Sequence, residues 1–350
     1  MHEIVIRGGS VVTPDGTKAI DVGIDDERIV ALASGLSGRR EVDAVGCYVL
    51  PGIIDAHTHM QLPVGGTRSS DDFESGSIAG AIGGVTCFVD FSVGAEDGAL
   101  PEEIESRIGD ASGSAVDFSL HAEIIGWRSD RSPEVAEAVA LGVRSFKFYL
   151  AYSESGRMTT DAQLVDAFRA LATHGGRAMV HAENDGLIRA LTAESLAAGR
   201  TDIDALADTR PAVCEEEAIL RASVWARAAD LPLRIAHISS ALGLRAATTS
   251  RSLGPRLVAE SCPQYLLLDR SVYGRPNGIQ FAATPPLRAP EDGDALWQAA
   301  ADGTLDVIAT DHCSFRSEQK PTESAFVDVP KGIPGIETLL PLLFSEGVGR

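Results

Sequence analysis

The sequence predicts an α/β chain, a (β/α)8 barrel preceded by a small N-terminal β lobe that lacks a partner segment from the C-terminal end. Two observations carry that prediction. Eight apolar runs recur along the chain, each ending in polar residues, and alanine-rich stretches with helical apolar spacing lie between them. The first fifty residues read instead as short strands and turns without a helical period.

Residues 1–50 hold strand candidates in EIVIRGGSVVT, AIDVGIDD and RIVALAS, separated by the turn signals Pro14-Asp15-Gly16 and Asp25-Asp26-Glu27. Residues 51–350 form the barrel. Its eight runs are CYVLPGIIDAHTH, VTCFVDF, VDFSLHAEII, VRSFKFYLAY, RAMVHAEN, LPLRIAHISS, RLVAESCPQY and LDVIATDHC, the first reaching back to Cys47. Helices fit SIAGAIGG, PEEIESRIGD, SPEVAEAVALG, DAQLVDAFRALATHG and CEEEAILRASVWARAAD, several with acidic starts. Eight such units favour a closed barrel over an open doubly wound sheet. No GxGxxG or GxxxxGK(S/T) loop follows the first run, which removes the usual nucleotide sites. After the eighth run there is room for a loop and one helix around GIETLLPLLFSEGV. That completes a barrel but leaves nothing to pair with the lobe, whose strand edges are expected to be open, as in a chain truncated at its C-terminus.

Hydrophobic residues at 44% and charged residues at 23% are globular usage, enough for a buried core. The formal charge of −20 excludes a broad surface for nucleic acid or anionic lipid, because both would be repelled. A small neutral molecule is the partner this charge permits. The N-terminus lacks the features of a signal peptide and no apolar run is long enough to span a bilayer, so a cytoplasmic protein without a membrane partner is expected. Cys47, Cys87, Cys214, Cys262 and Cys313 lack CxxC spacing and suggest neither a disulfide framework nor a thiolate zinc site.

The chemistry gathers at the ends of the runs, where barrel enzymes place their catalytic groups. His57 and His59 flank Thr58, so in an extended strand they share a face and can grip one cation. HxH alone is common; its company gives it weight. His181 and His237 end two later runs and suit a second, zinc-like ion. Asp311 can bind a metal and act as a base, or it can cap a helix starting at His312-Cys313. Lys147 sits in the apolar run VRSFKFYL and must be neutralised or modified if it points inward. Its neutral amine could take up carbon dioxide to give a bridging carbamate; pairing with Glu123 or Asp90 is the alternative. Asp90 and Glu123 also read as groups that orient ligands or as ordinary loop residues. His121 reads as a satisfied core histidine and His174, before Gly175-Gly176, as a helix C-terminal residue.

The stretches PGIIDAHTHMQLPVGGT, SFKFYLAY, HAEN, DTRP, AHISS, AESCPQYLLL, TPPLR, ATDHCSF and IPGIETLLPLLFSEGV resemble, in order and over nearly the whole chain, the landmarks of the hydantoinase and dihydropyrimidinase branch of the amidohydrolase superfamily. The resemblance implies a (β/α)8 barrel with a β-sandwich built from both chain ends. It implies two divalent ions, zinc or manganese, with His57, His59 and Asp311 on the more buried one and His181 and His237 on the more exposed one. Carboxylated Lys147 would bridge them. It further implies that the Tyr152 hydroxyl polarises the substrate carbonyl and that Thr284, where serine is usual, meets the ring amide. Lys331 stands where asparagine is common, and Leu62, Val64 and Tyr149 match an apolar gate. Around Ser153-Glu154-Ser155-Gly156 the chain departs from the family's pattern.

The activity implied is hydrolysis of the amide bond in hydantoins and dihydropyrimidines. Two cations about 3.5–4 Å apart make a bridging hydroxide available, and Asp311 serves as general base and acid. Allantoinase and dihydroorotase are the nearest alternatives. A carboxylate-bearing substrate calls for an arginine soon after the HxH pair, whereas Met60-Gln61-Leu62 follow here, with Arg68 further on. The family also includes non-catalytic scaffold proteins that lost the ligands, all of which are present in this chain. A homo-oligomer, dimer or tetramer, is implied as well.

Overall fold

The computed structural model describes residues 1–254 and 256–348. Chain contacts divide it into two compact units, Met1–Ile53 and Ile54–Arg350. Among the described residues no helix is long and apolar enough to cross a membrane.

The first unit is all β. Its four-stranded sheet has the order β5-β4-β1-β6, from β1 (His2–Arg7), β4 (Asp21–Asp25), β5 (Arg28–Ala33) and β6 (Gly38–Asp43). A three-stranded sheet, β3-β2-β7, is made of β2 (Ser10–Thr13), β3 (Gly16–Ala19) and β7 (Tyr48–Val49). Asp26 and Glu27, at φ 48° and 60°, join β4 to β5 in a two-residue turn whose twist matches the strands. Val5, Val11 and Val22 are its buried valines. Strand β6, GRREVD, has no apolar alternation to mark it; it lies at a sheet edge, parallel to β1, and owes its conformation to β1's backbone.

The second unit is the barrel. Its strands are β8 (Ile53–Asp55), then, after the hairpin β9 (Pro63–Val64) and β10 (Thr67–Arg68), β11 (Val85–Phe91), β12 (Asp117–Glu123), β13 (Ser145–Tyr149), β14 (Arg177–His181), β15 (Leu233–Ile235), β16 (Leu257–Ser261) and β17 (Val307–Ile308). They form one eight-stranded sheet in sequence order, β8-β11-β12-β13-β14-β15-β16-β17, parallel from β11 onward. Between β17 and β8 the barrel is joined beyond the ladder. Thr310 donates its N–H and hydroxyl to the Asp55 carboxylate at 3.0 and 2.5 Å, and the His59 N–H donates to the His312 carbonyl at 2.7 Å.

One prediction needs correction here. The run from Cys47 to His59 is not a single barrel strand, because Tyr48–Val49 pairs with β2 in the small unit and only Ile53–Asp55 enters the barrel. The Pro51-Gly52 turn divides two segments whose apolar character is continuous, so composition could not separate them.

Strand β13 shows how the barrel orients its chemistry. Phe146 and Phe148 face the helix layer, where Phe148 meets Phe168 with ring centroids 5.6 Å apart, within a cluster that includes Leu164 and Leu171. The period of two therefore turns Lys147 and Tyr149 inward. The helix Asp161–His174 that supplies those partners is capped by Thr160, paired reciprocally with Gln163, and stops at Gly175 with φ 72°. The helices Asp185–Ala197, Ala241–Ser252 and Pro290–Asp302 were not marked by the sequence pattern. Their apolar stripes are narrow and their buried positions few, since the barrel covers only one side of each.

Candidate active site

The C-terminal ends of β8, β13, β14, β15 and β17 open into one cavity of about 570 Å³. His57, His59, Lys147, Tyr149, Tyr152, His181, His237, Thr284, Asp311, Lys331, Leu62 and Val64 all line it. The structure thus brings together every residue singled out above as a ligand or substrate contact.

His57 and His59 lie just past the end of β8, and their rings are 5.2 Å apart. Asp311 Oδ1 is 3.1 Å from the Nε2 atoms of both. The helix-cap alternative for Asp311 fails, because the chain continues as a bridge to Thr58 and Ile333 and no helix begins there. Phe91, at the end of β11, stacks on His59 at 4.6 Å and tilts against His57 at 4.9 Å, fixing both rings from below. The Asp90 carboxylate accepts the Met60 N–H at 2.7 Å and the Thr58 hydroxyl at 3.2 Å and pairs with Arg107 at 2.6 Å, so it holds the HxH backbone. That gives Asp90 the orienting role over the loop role.

His181 and His237 face each other, with His181 Nδ1 2.9 Å from His237 Nε2. His181 Nε2 lies 2.8 Å from Glu183 Oε2, and Arg210 pairs with the same carboxylate oxygen. Burial alone would raise the Glu183 carboxyl, but Arg210 and His181 outweigh it and hold it at about 2. A carboxylate can only accept, so the proton of His181 sits on Nε2 and a lone pair on Nδ1 points at His237.

His57 repeats this arrangement. Its Nδ1 lies 2.6 Å from Glu260 Oε1, and Glu260 pairs in turn with Arg234. His57 Nε2 then faces the Asp311 carboxylate, and His59 Nδ1 and His237 Nδ1 are buried with no hydrogen-bond partner among the described residues. Ring nitrogens turned towards one another and towards a carboxylate, with the outer nitrogens of His57 and His181 held by glutamates, form an arrangement that a cation between them would complete. Imidazole and carboxylate are ligands that divalent zinc and manganese accept, so this donor set fits such ions. Among the described residues, His57, His59 and Asp311 meet the spacing of a single-ion site, with ligand atoms within 4.8 Å of one another.

Lys147 is 1% exposed, and no carboxylate of the described residues lies within ion-pair reach of it. The alternative of pairing with Glu123 or Asp90 therefore does not hold; Glu123 is engaged by Arg157 and by the Tyr149 hydroxyl, which donates at 2.7 Å. Lys147 Nζ instead stands over the Phe91 ring at 5.4 Å, on the same ring that supports His57 and His59. Burial pushes its ammonium down to about 8.

On the substrate side, Tyr152 has φ 73° and its hydroxyl donates to Thr284 Oγ1 at 2.8 Å. Burial raises the Tyr152 phenol to about 12, so it stays a donor. His237 and Asp311 also have positive φ, 40° and 52°, and this left-handed backbone is otherwise confined to four non-glycine turn residues of the described chain. Strained backbone concentrated on three cavity residues marks a place where position is worth its cost. Leu62 and Val64 belong to the β9-β10 hairpin, turned by Gly65-Gly66 at φ 57° and 75°. The Lys331 ammonium donates to the Val327 carbonyl at 2.8 Å and is pushed down to about 7 by burial and by Arg210. In the divergent segment, Ser153–Ser155 make one 3-10 turn tied to Asp185 by the Ser153 N–H at 3.0 Å and hydroxyl at 2.6 Å.

Other histidines stay out of the cavity. His121 Nε2 meets the Ala56 carbonyl at 3.1 Å, and His174 ends its helix within 3.3 Å of Ser132. His312 is a scaffold residue, since its ring accepts the Gly335 N–H and contacts Asp71, both at 3.0 Å. Glu260, Glu183, Arg234 and Arg210 escaped the sequence reading. Their one signal was a carboxylate inside or just after an apolar run, which also describes many loop residues.

Comparison with known proteins follows the same lines. No family model matches the chain. It is 38% identical over 353 aligned residues to a D-phenylhydantoinase of Escherichia coli, covering 99% of this chain and 76% of that protein. Among solved structures, the dihydropyrimidinase of Brevibacillus agri superposes with a TM-score of 0.95 at 36% identity, covering 100% of this chain and 77% of that one. The L-hydantoinase of Arthrobacter aurescens gives 0.91 at 28%, covering 100% and 78%. By sequence and by fold, this chain belongs to the hydantoinase family of the metal-dependent amidohydrolase superfamily and is a cyclic amidase.

Proposed function

We propose that the chain hydrolyses the amide bond of uncharged five- or six-membered cyclic ureides, 5-substituted hydantoins and dihydropyrimidines. One observation carries the reading: two groups of imidazoles with converging ring nitrogens, one joined by Asp311, share a cavity with a fully buried lysine that has no carboxylate within ion-pair reach among the described residues. Two divalent ions, zinc or manganese, would be held by His57, His59 and Asp311 and by His181 and His237, with the carbamate of Lys147 shared between them. When bound, such ions bring the pKa of water towards neutrality and polarise the amide carbonyl.

The chain's own residues supply the rest. Burial favours the neutral amine of Lys147, the form that adds carbon dioxide and releases a proton. Asp311 takes a proton from the attacking water and delivers it to the ring nitrogen as the C–N bond breaks, giving a new N–H and a carboxylic acid whose remaining proton passes to solvent. The Tyr152 hydroxyl turns from Thr284 to the carbonyl oxygen as negative charge develops there. Leu62, Val64, Ile188 and Phe326 give the cavity wall an apolar side, which favours an uncharged ring with an apolar substituent.

The test is ring opening by protein loaded with zinc or manganese, offered hydantoin, 5-substituted hydantoins, dihydrouracil, allantoin and dihydroorotate. Hydantoins or dihydrouracil should be opened, with kcat/KM reduced at least ~10³-fold and metal lost in Lys147→Ala and Asp311→Ala. Turnover of allantoin or dihydroorotate alone, or unchanged metal and activity in either variant, overturns the reading.

A further inference from the structure

Lys320 has no part in the chemistry above, yet it is 2% exposed. An ammonium tolerates such burial only when its N–H groups find acceptors. Lys320 Nζ has three N–H groups and donates to three backbone carbonyls, of Gln280 at 3.1 Å, Ala282 at 3.2 Å and Gly332 at 2.6 Å. Those carbonyls belong to two segments far apart in sequence. The segments are also joined directly, since the Gly332 N–H donates to the Ala282 carbonyl at 2.8 Å, and Gln280 Nε2 donates back to the Lys320 carbonyl at 2.9 Å.

The two segments run straight into Thr284 and Lys331, and Ala283, Thr284, Lys331 and Gly332 all line the cavity. The approach leaves no slack. A Cβ on Gly332 would lie 2.5 Å from the Cys313 carbonyl oxygen and 2.7 Å from its Cβ, two residues after Asp311. The backbone that meets the substrate is thus pressed against the segment that carries the base, and one buried cation holds both of its strands.

We propose that Lys320 is a positioning residue whose ammonium sets the spacing between the Ala282–Thr284 and Lys331–Gly332 backbones, and thereby the affinity for the substrate ring. This rests on the proposed function in taking those segments as the ones that receive the ring. The chemical step lies elsewhere, with Asp311 and Tyr152, so Lys320 governs KM.

The cation is also titratable. Burial pushes it down to about 8, and the groups facing it are the Cys313 thiol, kept neutral by burial, the Phe315 ring at 5.4 Å and the Lys331 amine, itself down at about 7, with Asp328 beyond. A neutral amine has two N–H groups and a lone pair, so one carbonyl loses its donor. Because the folded value lies below that of the unfolded chain, the unfolded chain holds more protons between pH ~8 and ~10.5 and this group favours folding more as pH rises. Affinity lost in that window is therefore not caused by titration of this group unfolding the chain.

The experiment compares metal-loaded wild type, Lys320→Met and Lys320→Arg on whichever hydantoin the wild type opens. Lys320→Met should raise KM at least tenfold with kcat within threefold and wild-type metal content, and Lys320→Arg should recover most of the affinity. Wild-type KM should rise at least threefold from pH 7 to 9.5, and that of Lys320→Arg should stay level. A folded Lys320→Met with wild-type KM, or one that loses kcat alone, overturns the proposal. If Lys320→Met does not fold, a wild-type KM that is flat with pH overturns it. Should the wild type open no ring, the functional reading fails instead, and hydrogen exchange decides the clamp: unchanged protection of 278–284 and 330–333 between pH 7 and 9.5 refutes it.

Discussion

The two halves of the candidate metal centre are built alike and anchored differently. In each, a buried glutamate backed by an arginine takes the outer nitrogen of a histidine, Glu260 with Arg234 behind His57 and Glu183 with Arg210 behind His181. Glu183 comes two residues after its histidine, on the same strand end. Glu260 comes from β16, separated from β8 only by β17 in the closed barrel but some two hundred residues along the chain, and its Oε1 also accepts the His237 backbone N–H at 3.3 Å. One carboxylate therefore serves a single half and the other reaches into both. The lesson is that the barrel, and not local sequence, couples the two proposed ion positions.

The sharpest way to break that comparison is to remove each carboxylate's charge while keeping its shape. Glu260→Gln should deplete both ions per chain and Glu183→Gln only one, each by about 10–100-fold in affinity, read by elemental analysis after dialysis against graded chelator. Equal loss of one ion from both variants would mean that Glu260 serves His57 alone. A catalytic test of the same comparison is Tyr152→Phe, whose ring lies 4.8 Å from that of His181. It should lower kcat by about 10²–10³-fold with KM and metal content near wild type, because in the proposed reaction the hydroxyl meets charge that exists only in the transition state. A change confined to KM would instead make Tyr152 a binding residue of the His181 half.

The smallest effect is structural and belongs to the His57 half. Burial holds the Asp55 carboxyl up at about 6 in spite of the two Thr310 donors, so Thr310→Val would leave it less satisfied still. A loss of about 1–3 kcal/mol in unfolding free energy is expected, with both ions retained. Thermal denaturation of the metal-loaded variant measures it, and an unchanged midpoint would show that the barrel closes between β17 and β8 without this contact.

Legibility in the sequence followed periodicity. Lys147 could be read because its neighbours Phe146 and Phe148 demand the opposite face, and His181, His237 and Asp311 because each follows an apolar run where a barrel strand must end. Glu183 and Glu260 could not, because a carboxylate's meaning depends on what faces it. Lys320 gave no signal at all; it lies in a loop whose polar sequence, SEQKPTES, looks solvated, and only the fold buries it. The first run failed differently, since nothing in its composition shows that Tyr48–Val49 joins one sheet and Ile53–Asp55 another.

By itself the sequence determined the barrel, the order of its strands and the types of side chain at their ends, because alternation and apolar spacing are local properties. The tertiary structure alone decided which of those side chains share an anchor, which nitrogen of each histidine is free and which loop carbonyls surround a buried ammonium. Those are distances between residues up to some two hundred positions apart, as with His57 and Glu260, and they exist only once the sheet has curled round to bring β16 and β17 beside β8.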